Sequence, residues 1–109
     1  MSFLRVCGVA DVASGSAVRF ELDDVDLAVV RSGDDWYAVH DECSHAAIPL
    51  SEGDVEGCEI ECWLHGSRFD LRTGKPSGPP ATEPVPVYPV RVEGQDVLVD
   101  VDSPITTED

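Results

Sequence analysis

Two short stretches constrain this chain more than anything else in it. Cys43-Ser44-His45 and Cys62-Trp63-Leu64-His65 each set one thiol and one imidazole within a single turn of chain, with residues 46–61 between them. Donors so close in sequence move as a unit, so each stretch is a two-pronged clamp, and a fold that uses both must bring two loops face to face. Two Cys and two His suit either a tetrahedral zinc or a 2Fe-2S cluster in which one iron takes both Cys and the other both His. Zinc modules with this donor set usually place the Cys pair first and the His pair second, on a short helix. Here the order is Cys, His, Cys, His, so each loop offers one donor to each metal of a binuclear centre. That order favours the cluster, with a structural zinc as the alternative.

The rest of the chain reads as β structure. At 109 residues it has the size of one domain, and its 9 Gly and 8 Pro imply many turns and few long helices. Runs rich in Val, Leu and Phe at Phe3 to Ala10 and Ala17 to Leu22 are separated by Ala13-Ser14-Gly15-Ser16, a turn composition. Val25, Leu27 and Val29 alternate with Asp26 and Ala28, then Ser32-Gly33-Asp34-Asp35 leads to Trp36-Tyr37-Ala38-Val39, which predicts a hairpin with Trp36 and Tyr37 in its core. Cys58, Ile60 and Cys62 alternate with Glu59 and Glu61 after a Glu56-Gly57 turn, the period of a half-buried strand. Phe69 to Leu71 with the turn Arg72-Thr73-Gly74-Lys75, an irregular or edge strand at Val85 to Val92 interrupted by Pro86 and Pro89, and Val97 to Val101 complete about eight or nine strands. Turns at this spacing belong to antiparallel sandwiches and barrels. The expected architecture is an all-β, single domain over 1–102, with loops at about 43–48 and 62–67, a proline-rich loop at 76–80 and an acidic tail at 103–109.

Charge and cysteine usage narrow the setting. A formal net charge of -15, from 22 acidic and 7 basic residues, repels a phosphate backbone, so nucleic acid is excluded as a partner. The same charge gives solubility and can steer the chain toward a basic protein. No apolar run approaches the roughly 18 to 20 residues of a membrane helix, and no basic segment with an apolar core opens the chain, so a soluble cytoplasmic protein is expected. In a reducing compartment four Cys bind metal or stay free more often than they pair. Cys7 and Cys58 read as small buried strand residues, and His40 as an ordinary loop histidine.

At its two clamps the sequence resembles the Rieske family, whose cluster-binding loops read Cys-x-His and Cys-x-x-His with an interval of this length. The likeness continues through His65-Gly66-Ser67-Arg68-Phe69-Asp70, Thr73-Gly74 and the Pro76 to Pro80 segment, and within the family it is nearest to the stand-alone ferredoxins of bacterial ring-hydroxylating dioxygenase systems. The resemblance implies a 2Fe-2S cluster on Cys43, His45, Cys62 and His65, a Rieske-like fold with the ligands on two loops, and a Gly78-Pro79-Pro80 cover over the cluster. It also implies the partners: a flavin-dependent NAD(P)H reductase as donor and a terminal non-haem iron oxygenase as acceptor, with the chain acting as a monomeric electron carrier and not as an enzyme. Service to another pathway, such as nitrite reduction or cluster assembly, is the alternative. Respiratory members of the family carry two further Cys, at positions held here by Ile48 and Leu64, and a Tyr where this chain has Phe69. Fewer hydrogen bonds to cluster sulfur imply a lower reduction potential. Trp63 is expected to shield the cluster, and Arg68, Arg72 and Lys75 to solvate a hairpin.

Overall fold

Segments dense in β-branched and aromatic residues become strands wherever a second layer can cover them. A computed structural model describes residues 3–42, 49–62, 68–76 and 84–101. Among the described residues ten strands form: β1 (Leu4–Gly8), β2 (Ser16–Leu22), β3 (Val25–Ser32), β4 (Asp35–His40), β5 (Asp54–Glu56), β6 (Glu59–Glu61), β7 (Arg68–Asp70), β8 (Val87–Tyr88), β9 (Val90–Glu93) and β10 (Asp96–Val99). They make three antiparallel sheets, ordered β1-β10-β9, β2-β3-β4-β8 and β5-β6-β7. The helical content of the described residues is two 3-10 turns, at Val9–Asp11 and Leu50–Glu52. The all-β expectation holds, and every run named from the sequence contains a strand.

The four-stranded sheet is the middle layer. Leu27, Ala28, Val29 and Val30 of β3 are all fully buried, which one covered face cannot produce, because successive side chains point to opposite sides. Ala28 and Val30 join Val39, Leu50, Ile60, Cys62 and Phe69 in one cluster, roofed by the β5-β6-β7 sheet. Val29 packs with Cys7, Val12 and Val97, and Leu27 with Ala38, Tyr88 and Val99, under the β1-β10-β9 sheet. The alternation of Val25, Leu27 and Val29 therefore marks one of two buried faces. Trp36 and Tyr37 divide between them: Trp36 packs against the cluster of Val29 and Cys7, Tyr37 against that of Ile60 and Phe69.

Turn chemistry sets the registers. Leu22 pairs with Val25, so Asp23 and Asp24 form a two-residue hairpin turn, both left-handed at φ 52° and 66°. Such turns match the strand twist, and short polar side chains tolerate the left-handed region. Val85 to Val92 is irregular, as its prolines imply. Val87 and Tyr88 pair with β4, whereas Val90 to Glu93 pair with β10, so the chain passes between two sheets at Pro89, which has no N–H for either ladder.

Two expectations need correction, and one strand was not foreseen. Cys58 is not a buried strand residue: it lies half-buried in the turn between β5 and β6, where its carbonyl accepts the Leu71 N–H at 2.7 Å. His40 ends β4 and does not lie in a loop. The short strand β5 has no signature of its own in the sequence, because Asp54-Val55-Glu56 has one apolar residue and gains its order from pairing with β6. The 103–109 tail lies outside the described residues.

Candidate metal centre

Of the four candidate ligands, Cys62 is described, and Cys43, His45 and His65 lie outside the described residues. Ile48, Trp63, Leu64, Ser67 and the Gly78-Pro79-Pro80 segment lie outside them too. The structure does describe the roots from which those segments leave and to which they return.

The first root begins where β4 ends. The His40 N–H donates to the Pro86 carbonyl at 2.9 Å and the Asp41 N–H to the Asp26 carbonyl at 2.9 Å, which pin the chain just before Cys43. The His40 Nε2 lies 3.6 Å from the Glu42 carboxylate. On the return, Pro49 leads into the 3-10 turn, whose Leu50 is fully buried, and Ser51 donates both its backbone N–H and its hydroxyl to the Asp41 carboxylate, at 2.6 and 2.7 Å.

The second root is the β6-β7 pair. Glu61 stands opposite Arg68, so a strand register brings together the two ends of the chain that flank residues 62–67. Cys62, the first residue past β6, is only 1% exposed and belongs to the cluster that holds Leu50, Ile60 and Phe69. Its thiol is placed on the inner side, as the alternation with Ile60 predicts. The two roots touch at Gly53, where an added Cβ would overlap the Glu61 carbonyl, so only a residue without a side chain allows this approach. The backbone beyond the first loop thus rests on the residue preceding Cys62.

A third root lies beside them. Phe69 bridges to Pro76, and the Val85 N–H donates to the Gly74 carbonyl at 2.8 Å. Gly74 is left-handed at φ 80°, and a Cβ there would overlap the Val85 carbonyl, so the chain on either side of 77–83 is drawn together by a second required glycine. The described residues flanking 43–48, 63–67 and 77–83 are all tied to β6, β7 and the residues packed on them.

The outer face of the β5-β6-β7 sheet is acidic. Residues paired across antiparallel strands project to the same side, so Asp54, Glu61 and Arg68 share a face with Glu56, Glu59 and Asp70, while Val55, Ile60 and Phe69 point inward. Arg68 lies 2.6 Å from Glu56, 3.6 Å from Glu59 and 3.9 Å from Glu61. Its hydrogen bond lowers the Glu56 carboxyl below the usual range and raises the guanidinium. Arg72 grips Asp70 with Nε and Nη2 at 3.1 and 3.0 Å and lowers its pKa. These arginines offset carboxylates more than they solvate a hairpin. A cleft of about 310 Å³ opens between Asp54, Glu61 and Arg68.

Cys7 is 3% exposed, burial raises its pKa, and it is a free thiol, as is Cys58. A buried neutral thiol of this kind is a packing residue, as expected. Asp41, Leu50, Ser51 and Gly53 escaped the sequence reading. The Ser-Glu-Gly composition after Leu50 marks a turn, but nothing local reveals that its first and last residues touch Asp41 and Glu61.

Comparison with known proteins concerns most of the chain. A family described as the Rieske [2Fe-2S] domain matches residues 2–89. The biphenyl dioxygenase ferredoxin subunit of Pseudomonas sp. (strain KKS102) is 42% identical over 101 residues, covering 92% of this chain and 93% of its own. The ferredoxin of carbazole 1,9a-dioxygenase from Nocardioides aromaticivorans IC177 superposes with a TM-score of 0.86 at 40% identity, over 91% of this chain and 97% of that one. A chain in the complex of reduced oxygenase and oxidized ferredoxin in carbazole 1,9a-dioxygenase superposes with a TM-score of 0.82 at 36% identity, over 97% of this chain and 95% of that one.

Proposed function

The chain belongs to the Rieske [2Fe-2S] domain family, and from that premise we propose that it is the ferredoxin of a ring-hydroxylating dioxygenase system, carrying single electrons to a terminal non-haem iron oxygenase. One observation carries this reading: the match to a dioxygenase ferredoxin subunit runs over nine-tenths of both chains, so it concerns the whole carrier and not a domain shared with a larger enzyme. The donor is a flavin-dependent NAD(P)H reductase, and the carrier works as a monomer in the cytoplasm. Among the described residues no helix is long and apolar enough to cross a membrane.

The cofactor is a Rieske-type 2Fe-2S cluster, which supplies a reversible one-electron couple when bound. Cys43 and Cys62 would hold one iron, and His45 and His65 the other. The described residues fit this group: Cys62 is a sheltered thiol on the inner side of β6, and the roots of the two ligand segments are packed against each other at Gly53 and Glu61. Buried Leu50, Ile60 and Phe69 keep water from the Cys62 side, and low polarity there disfavours added negative charge. Together with Phe69 in place of a tyrosine hydroxyl, and Ile48 and Leu64 in place of a disulfide, this supports a potential near the lower end of the roughly -150 to +300 mV range of Rieske centres.

With His45 and His65 assigned, His40 is the remaining histidine, so a two-histidine, one-carboxylate oxygenase iron cannot be assembled from this chain. Oxygen chemistry belongs to the acceptor. Electron paramagnetic resonance of the dithionite-reduced protein, paired with single-turnover oxidation by a terminal oxygenase, tests the reading. A rhombic Rieske signal that disappears on mixing with oxygenase and substrate is expected. A colourless protein that binds zinc and gives no signal would overturn it.

A further inference from the structure

Asp41 is the residue whose burial most needs a reason. Its side chain has no solvent exposure, and a buried carboxylate is retained only where hydrogen bonds and a counter-charge compensate its lost hydration. Among the described residues, its two hydrogen bonds reach the neck of the first loop and its ion pair reaches Arg19 of β2. Oδ1 accepts the Ser51 N–H and Oδ2 the Ser51 hydroxyl, while Arg19 Nη1 lies 3.8 Å from Oδ2 and its Nη2 is held by Asp26 at 2.7 Å. The backbone of Asp41 is fixed independently by the Asp26 carbonyl of β3. One residue therefore ties the end of β4, just before Cys43, to Ser51, just after the loop, and Gly53, two residues on, rests against the Glu61 carbonyl before Cys62.

We propose that Asp41 is a positioning residue for the Cys43 and His45 pair: its double hydrogen bond to Ser51 ties together the described residues on either side of the 43–48 segment, and so restricts the placements open to the two ligands it carries. The proposal rests on the ligand assignment made above. A loop with an open neck samples many separations of its donors, whereas a closed neck leaves the few that match a cluster. The contact is charge-assisted, and the carboxylate accepts two donors of a single residue, so it fixes orientation as well as distance.

The test compares holoproteins. Asp41→Ala removes the clamp and Ser51→Ala removes its hydroxyl half. Asp41→Asn keeps both contacts, since its amide oxygen can accept the Ser51 N–H and its amide nitrogen can donate to the hydroxyl. Val97→Ala, in the cluster on the far side of the middle sheet, is a control for general loss of stability. Readouts are the line widths of the reduced electron paramagnetic resonance spectrum and the half-life of visible absorbance in excess chelator. Asp41→Ala should broaden the spectrum and shorten the half-life about tenfold or more, the order seen when an outer-shell support of a metal site is removed. Ser51→Ala should do so in part, and Asp41→Asn should stay near wild type. Should Asp41→Ala fail to fold, Ser51→Ala decides. An unchanged spectrum and half-life in the clamp variants, or equal acceleration by Val97→Ala, would overturn the proposal. Cys43→Ala separates the premise: if it keeps the wild-type spectrum, the ligand assignment itself is wrong.

Discussion

Single residues decide how near the described flanks of the two candidate ligand segments come. Gly53 owes its identity to the Glu61 carbonyl that a Cβ would strike. A Gly53→Ala variant has to move backbone on a strand that leads to Cys62, so it should lose about 1 to 3 kcal/mol in urea denaturation, the cost of overpacking. Phe69 shares a packed cluster with Cys62. Phe69→Tyr places a hydroxyl in that cluster, where donation to a ligand sulfur would stabilise the reduced centre, and voltammetry should return a higher potential than wild type. The pairing of Asp70 with Arg72 has a pH consequence. Arg72 holds the Asp70 carboxyl below its ordinary 3.8, so the contact contributes stability above that value and loses it as pH falls through the depressed one. Because Arg72 is well exposed, solvent screens the pair and the contribution is small. Arg72→Gln should slightly narrow the gap between chemical denaturation midpoints at pH 7 and pH 2, while leaving stability at pH 2 close to wild type.

At the level of strands, the sequence pattern was legible where one face is buried and silent where partners make the structure. Ile60 between Glu59 and Glu61 reads as a strand and is one. Its neighbour β5 does not, since Val55 flanked by two acids carries no period of its own and is ordered by its register with Ile60. Cys58 continues the alternation on paper, yet Gly57 at φ 58° ends the strand pairing before it. Pro86 and Pro89 announce an interrupted strand, but that the interruption moves the chain from β4 to β10 is a property of two sheets lying side by side. Likewise the burial of Ala28 and Val30 needs a third sheet, whose strands are all three residues long.

Across the whole molecule, the negative charge predicts electrostatic steering toward a basic partner. A net charge of -15 surrounds a site whose supporting sheet presents Asp54, Glu56, Glu59, Glu61 and Asp70 on its outer face. Directly opposed like charges, Asp54 with Glu61 and Glu56 with Glu59, oppose folding and are only partly offset by Arg68. Reduction of a terminal oxygenase should accordingly slow as ionic strength rises past the point where the Debye length falls to about 8 Å. Stopped-flow rates independent of salt would contradict steering. The candidate donors, their order along the chain, the all-β class and the family were all legible in the sequence, because residue identity and side-chain period are local properties that survive without a fold. The Asp41 to Ser51 clamp, the contact of Gly53 with Glu61 and the second buried face of β3 were not. Each joins residues that no local period relates, and only the packed chain brings such groups into contact.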